Sequence, residues 1–198
     1  MRTAALVLAA GSSSRLGRPK QLIDWGGKPL LDVVLDQVRT WPVDEIWVVL
    51  GACADDILEG CDFEGTSVVI NDDYQEGLAS SLRVGLDGLM RSSKVEGALV
   101  VMGDQPTIDP EVVSELLRRF GRSAAKAVVP KYRYTWSNPV VVARSLWPRL
   151  MSLEGDSGAQ KLLKAHPEWV EEVWLETLPP RDIDTEEDIA DLSPRSPV

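Results

Sequence analysis

Apolar and polar positions alternate in blocks along this 198-residue chain, and the blocks switch period. Short, nearly continuous apolar runs recur at 3–9, 45–51, 67–71, 97–102, 127–130, 139–142 and 170–175. Such runs predict strands buried on both faces. Between them lie stretches with helical spacing at 29–40, 78–90, 110–120, 144–153, 156–165 and 186–192, with Leu78, Leu82 and Leu86 at i, i+4 and i+8. Asp109-Pro110 reads as an N-cap followed by a first-turn proline. Thr185 to Asp188 reads as a capping box with Asp where Glu is usual. Alternating strands and helices predict an α/β protein, a Rossmann-like three-layer α/β/α sandwich with a mostly parallel sheet. No repeat or long linker interrupts the pattern, so 1–192 is expected as one domain. Residues 193–198 are expected as a disordered tail.

Composition narrows the function. No apolar run reaches the ~20 residues of a membrane helix, and the chain runs from Met1 straight into the first predicted strand, with no separate signal peptide expected. Cys53 and Cys61 lack metal or redox spacing and are expected as reduced, cytoplasmic thiols. A formal net charge of −10 argues against nucleic acid or an anionic membrane as partner. An acidic chain that binds a polyanion must gather its cations locally.

Such a gathering occurs where Leu6-Val7-Leu8-Ala9-Ala10-Gly11 runs into Ser12-Ser13-Ser14-Arg15-Leu16-Gly17-Arg18-Pro19-Lys20. Gly11 and the serines let backbone N–H groups approach a polyanion, and Arg15, Arg18 and Lys20 can neutralise it. Leu8, Ala9, Ala10, Gly11, Ser12, Arg15 and Lys20 are therefore candidates for holding a nucleoside triphosphate. The plain alternative is a surface turn with scattered charges. A Walker A loop does not fit, because Arg18 and Pro19 follow Gly17. A dinucleotide fingerprint does not fit either, with only Gly11 and Gly17 present.

Four further stations follow. Gly103-Asp104-Gln105-Pro106 closes a buried strand, and Asp104 at such a strand end can hold Mg²⁺ or merely cap the strand. In Asp182-Ile183-Asp184 two carboxylates two residues apart face one side of an extended segment, or simply favour the dipole of the following helix. Gly77, Ser80 and Ser81 open a helix with small polar groups able to meet a base edge, although an N-cap explains a serine there equally. The second half of the chain offers Asn138-Pro139 and Gly155-Asp156, either of which can be a turn. Trp136, Trp147, Trp169 and Trp174 read as core or rim packing. His166, the single histidine, reads as a helix C-terminal cation, so the chain has no histidine-based acid–base pair.

The first station resembles the Leu-Ala-Ala-Gly-x-Ser-x-Arg-Met/Leu-Gly-x-x-Lys signature of the nucleotidyltransferases, and the five stations run in the order of the MobA-like molybdenum-cofactor nucleotidyltransferases. The resemblance covers about Thr3 to Leu192 and is closest to the cytidylyl-transferring branch, which opens Leu-Ala-Ala-Gly where guanylyl-transferring relatives have Leu-Ala-Gly-Gly. It implies a fold of the nucleotide-diphospho-sugar transferase type. The implied activity is Mg²⁺-dependent transfer of CMP from CTP, or of another nucleotide, to a phosphorylated acceptor such as the molybdenum–pterin cofactor. It further implies Lys20, Arg15 and Asp104 as catalytic groups, Asp104 and Asp184 as metal ligands with Asp182 as fallback, and Gly77, Ser80 and Ser81 near the base. Residues 1–107 would form mainly the nucleotide half. Residues 108–192 would form mainly the acceptor half, with Gln105, Asn138, Pro139 and Asp156 near the acceptor. A molybdoenzyme or its chaperone would be a transient partner. Ser137-Asn138-Pro139 and Gln160 depart from the family's Gly-His/Asn-Pro and Gly-Asp-x-Gly-Ala-Arg patterns, which puts the acceptor in doubt. The competing class is a non-catalytic nucleotide- or cofactor-binding maturation partner on the same fold.

Overall fold

The computed structural model describes residues 1–92 and 94–194. Strand β1 (Thr3–Ala9) is buried along its whole length. Its side chains alternate between two cores: Ala4, Leu6 and Leu8 enter one, and Ala5, Val7 and Ala9 the other. This is the period-two signature of a strand covered on both faces. β2 (Glu45–Leu50) and β4 (Gly97–Met102) flank β1 in parallel, and β3 (Ser67–Ile70) adds to β2.

Beyond β4 the direction changes. β7 (Val140–Ala143) pairs antiparallel with β4 and with β5 (Ala127–Tyr132). The two-residue β6 (Thr135–Trp136) turns back on β5, and β8 (Val170–Leu175) pairs parallel along the other side of β5. The sheet therefore reads β3-β2-β1-β4-β7-β5-β8, with β6 beside the far end of β5.

One face is covered by α3 (Leu78–Ser92), whose Leu82, Leu86 and Leu89 join Trp147 and Leu163 in the first core. The other face is covered by α1 (Leu30–Arg39) and α4 (Pro110–Phe120) through Leu31, Leu35, Leu116 and Phe120. The result is the expected three-layer sandwich. Truncating a fully buried leucine such as Leu82 to Ala costs about 2–5 kcal/mol in a core of this kind.

Several boundaries differ from the sequence reading. The segment 144–153 is not one helix but a 3-10 turn, Arg144–Leu146, followed by a single turn, α5 (Trp147–Leu150). Pro148 sits in the first turn, where its missing N–H is harmless, and it cannot continue a helix begun upstream. The helix expected from 156 begins only at Ala159, as α6 (Ala159–Ala165). Its would-be first turn is held as a loop, because the Gly155 carbonyl accepts from Ala79 N–H at 3.0 Å. α2 (Ala54–Gly60) went unforeseen, because Asp-Asp-Ile-Leu-Glu offers only a short apolar stripe. α7 (Glu186–Leu192) carries the capping box at Thr185 and Asp188. Ser193 N–H closes α7 on the Ile189 carbonyl at 2.9 Å, and 195–198 of the expected tail lie outside the described residues. No helix among the described residues is long and apolar enough to cross a membrane.

Candidate functional site

The C-terminal ends of β1 and β4 open into a cavity of about 620 Å³. Two parallel strands end side by side there, and their following loops must diverge. Gly103 makes the close approach possible: a Cβ at that position would lie 2.8 Å from the Cβ of Ala9. Leu8, Ala9, Ala10, Gly11 and Ser12 line it from the end of β1 and its loop, and Gly103 and Asp104 from the end of β4 alongside. Gly77 and Ser81, at and near the start of α3, also line it, with Asp156 of the 155–158 loop against Gly77. Gly77 has a φ of +98°, and a Cβ there would strike the Asp156 carboxylate at 2.6 Å. Only glycine combines that dihedral with that approach.

Charge is concentrated where Lys20 and Asp104 line the cavity, and Asp184 and Arg15, which do not line it, join them from its outer side. The Lys20 ammonium donates to Asp104 and, at 3.1 Å, to Asp184, while Arg15 Nη1 donates to the other Asp184 oxygen at 2.8 Å. Burial works against the Lys20 cation, but the charges of Asp104 and Asp184 outweigh it and raise its pKa. Burial likewise pushes the Asp104 carboxyl up, against the pull of Lys20. Asp104 Oδ1 is buried and has no hydrogen-bond partner among the described residues. Two carboxylates thus converge on one cation beside a spare oxygen, a donor set that a hard divalent ion can use. Among the described residues no group of three or more His, Cys, Asp or Glu side chains gathers as a self-sufficient metal site.

Asp184 arrives there by tertiary packing. Ile183 is fully buried against Trp25 and Leu30, and its N–H donates to the Asp104 carbonyl at 3.0 Å. Gln105 is 3 % exposed and donates from Nε2 to Asp182 at 2.7 Å. The structure therefore places Gln105 behind the cavity, tying the Asp182–Asp184 segment to β4. Asp182 faces Gln105 rather than Lys20.

The remaining sequence candidates separate. Ser81 lines the cavity; Ser80 lies behind it and donates to the Gly77 carbonyl at 2.8 Å. Both hydroxyls accept from the buried Asn71 amide, at 2.8 and 3.0 Å. Arg15 and Arg18 point outward, paired with Asp184 and Glu186. Asp156 is on the wall beside Gly77, not with Asn138. Asn138 lines a second cavity, next to the first, and Pro139 is buried and lines neither. His166 stacks on Trp169 with ring centroids 3.7 Å apart and lines neither cavity.

Sequence reasoning missed Gln21, Tyr74, Gln75 and Met102, which also line the main cavity. Gln21 is 2 % exposed and donates from Nε2 to the Ala9 carbonyl at 2.6 Å, fastening the loop to the end of β1. Its place directly after Lys20 was the one available signal.

Residues 5–170 match the family model of the MobA-like NTP transferase domain. The chain is 31 % identical to the nicotine blue oxidoreductase of Paenarthrobacter nicotinovorans, over 82 % of this chain and 81 % of that one. It is 28 % identical to a probable molybdenum cofactor guanylyltransferase of Pyrococcus horikoshii, over 73 % and 70 %. Among solved structures it resembles the Rv0371C protein of Mycobacterium tuberculosis H37Rv in its complex with manganese, with a TM-score of 0.84 and 28 % identity over 98 % of both chains.

Proposed function

The chain belongs to the MobA-like NTP transferase domain family, and from that premise we propose that it transfers CMP from CTP to a molybdenum-bearing pterin phosphate, with Mg²⁺ as its metal. It is a nucleotidyltransferase related to the molybdenum cofactor nucleotidyltransferases. The observation that carries the proposal is the convergence on Lys20 of Asp104, which lines a cavity walled by a glycine–serine loop, and of Asp184, which reaches Lys20 from outside that lining.

In the proposed step an acceptor phosphate oxygen attacks the α-phosphorus. A new P–O bond forms, the bridging P–O bond to the β-phosphorus breaks, and pyrophosphate leaves with the electron pair. Such chemistry needs positioning and charge neutralisation more than acid–base groups. Backbone N–H groups from Gly11 to Ser14 would face the phosphates, with Lys20 supplying a fixed cation beside them. Gly77 and Ser81 would bound the base. Mg²⁺ would be held by Asp104 and Asp184, with phosphate oxygens and water completing its shell. It would supply charge stabilisation at the reacting phosphate. The relative solved with manganese supports divalent-metal use.

The Ala9-Ala10-Gly11 opening supports CTP, and the guanylyltransferase relative makes GTP the necessary control. The proposal assigns the nucleotide mainly to the first 107 residues and the acceptor to the rest. It includes hand-over of the product to a molybdoenzyme or its chaperone, in the cytoplasm, with no nucleic-acid or membrane partner. Pyrophosphate release tests it, measured with CTP or GTP, Mg²⁺ and the pterin phosphate. Release with CTP and acceptor together is expected. Faster release with GTP would move the chain to the guanylyl branch.

A second reading takes its warrant from the relative named nicotine blue oxidoreductase. On that reading the same cleft would hold a redox substrate. Release from neither nucleotide, combined with reductant-dependent bleaching of that dye, would favour it.

A further inference from the structure

Gln21 lines the main cavity and is 2 % exposed, yet only one end of its amide is engaged. It sits in the 3-10 turn Lys20–Leu22, which the preceding loop holds in place: Lys20 N–H donates to Ser13 Oγ at 3.0 Å. From that turn Gln21 Nε2 donates to the Ala9 carbonyl at 2.6 Å and to the Gly11 carbonyl at 3.4 Å. Those two acceptors fix which way the amide points, since the flipped amide would press its oxygen on two carbonyl oxygens. Oε1 is thereby held in place, buried, and without a hydrogen-bond partner among the described residues.

A second orphan, Asp104 Oδ1, belongs to the same lining. The Ala9 backbone that Gln21 grips lies against Gly103, the residue before Asp104. Both orphans are oxygens that accept and do not donate. A buried acceptor left unmatched loses its hydration and gains nothing in return. A phosphate oxygen is itself an acceptor and would be repelled. This corner therefore differs from the loop, whose N–H groups suit phosphate. Lys20 already donates to Asp104 and Asp184. What suits a carboxylate oxygen and a neutral amide oxygen together is a divalent cation with its water: the ion for the carboxylate, a water proton for the amide.

We propose that Gln21 is a positioning residue for the metal, its Oε1 accepting a hydrogen bond from water on a divalent ion held at Asp104. The inference rests on the metal reading above. Mg²⁺ held by one or two carboxylates keeps several of its waters, and partners of those waters orient the ion. An amide fits both tasks. A carboxylate at position 21 could not donate to Ala9 and Gly11, and a lysine there would repel the ion. Through one side chain, the loop and the ion's water are set together.

Mn²⁺ binding to the full chain, read by electron paramagnetic resonance, tests this. Gln21→Met keeps the length of the side chain and removes both ends of the amide. It should weaken Mn²⁺ about tenfold, the scale for losing a supporting partner of a metal site. Exchangeable proton couplings of Mn²⁺-bound water, read by electron–nuclear double resonance in H₂O against D₂O, should differ between wild type and variant at saturating Mn²⁺. Should Gln21→Met fail to fold, Gln21→Asn keeps an amide but shortens it, and should change the same couplings. The proposal is overturned by no Mn²⁺ binding to the wild type, by unchanged affinity in the folded variant, or by weaker binding with identical water couplings, which would make Gln21 a fastener of the loop alone. Unchanged Mn²⁺ binding in Gln21→Met, with pyrophosphate release by the wild type, removes this role and leaves the transfer reading. Altered couplings with no pyrophosphate release from the wild type do the reverse.

Discussion

The two neighbouring cavities share a wall and differ in every other respect. The larger is built on charge. Lys20 reaches 84 residues along the chain to Asp104 and 164 to Asp184, and each ion in the cluster is held by another ion or by backbone. The smaller is built on shape, from aliphatic side chains and two unengaged amides. A charge in a cleft is tolerated only with partners, so the first cavity needs fixed long-range fasteners. An apolar cavity needs only complementary surfaces. The difference teaches that the charged side is sensitive to single substitutions, whereas the apolar side can change its ligand without disturbing the chemistry next door.

Asp104→Asn should break the contrast most severely. It removes charge where the reacting phosphate is expected, and turnover should fall about 10²-fold or more. Steady-state pyrophosphate release checks it, with circular dichroism as a fold control. Lys20→Met should cost about 10²-fold on the same ground. Wild-type rates for both at saturating Mg²⁺ would mean that the charged cluster is merely structural.

Gln105→Leu probes the fasteners rather than the ions. The Asp182–Asp184 segment would lose its side-chain tie to β4. Mn²⁺ binding, read by electron paramagnetic resonance, should weaken about tenfold, the usual scale for removing a supporting partner of a metal ligand. Asn138→Leu should raise the acceptor KM several-fold and leave the CTP KM unchanged, which sharpens the separation of the cavities. A parallel rise in both would merge them.

The smallest effect lies outside both sites. Arg118 and then Arg119 hold the Glu115 carboxyl down at about 2. A carboxylate with a depressed folded pKa contributes stability above its unfolded pKa and loses it as pH falls through the folded one. Glu115→Gln should therefore lower Tm slightly at neutral pH, and the gap should close as pH falls from about 4 towards 2. The group is partly exposed, so solvent screening keeps the effect under about 1 kcal/mol.

Much of this molecule is legible in one dimension. β1, β4, β8, α4 and α7 begin and end where their apolar periods, caps and prolines place them. The phosphate-type loop declares itself through Gly11, its serines and Lys20, because such a loop draws its groups from consecutive residues. The expected helix over 144–153 is instead a 3-10 turn and a one-turn helix broken at Pro148, because apolar residues on two short turns imitate one continuous helical period. Gln21 and Gln105 escaped notice because a buried amide looks in sequence like any surface glutamine.

Sequence alone determined the alternation of elements, the two-faced burial of the central strands and the chemical kind of the loop, since each depends on residues within a few positions of one another. Tertiary structure decided the rest. Ile183 had to bury against Trp25 and Leu30 before Asp184 could meet Lys20. The 155–158 loop had to dock on α3 before Asp156 could stand at Gly77 rather than beside Asn138. The smaller cavity exists only because three strands and two helix starts, far apart in the chain, leave about 190 Å³ unfilled between two layers. Packing fixes such distances, and no local pattern records them.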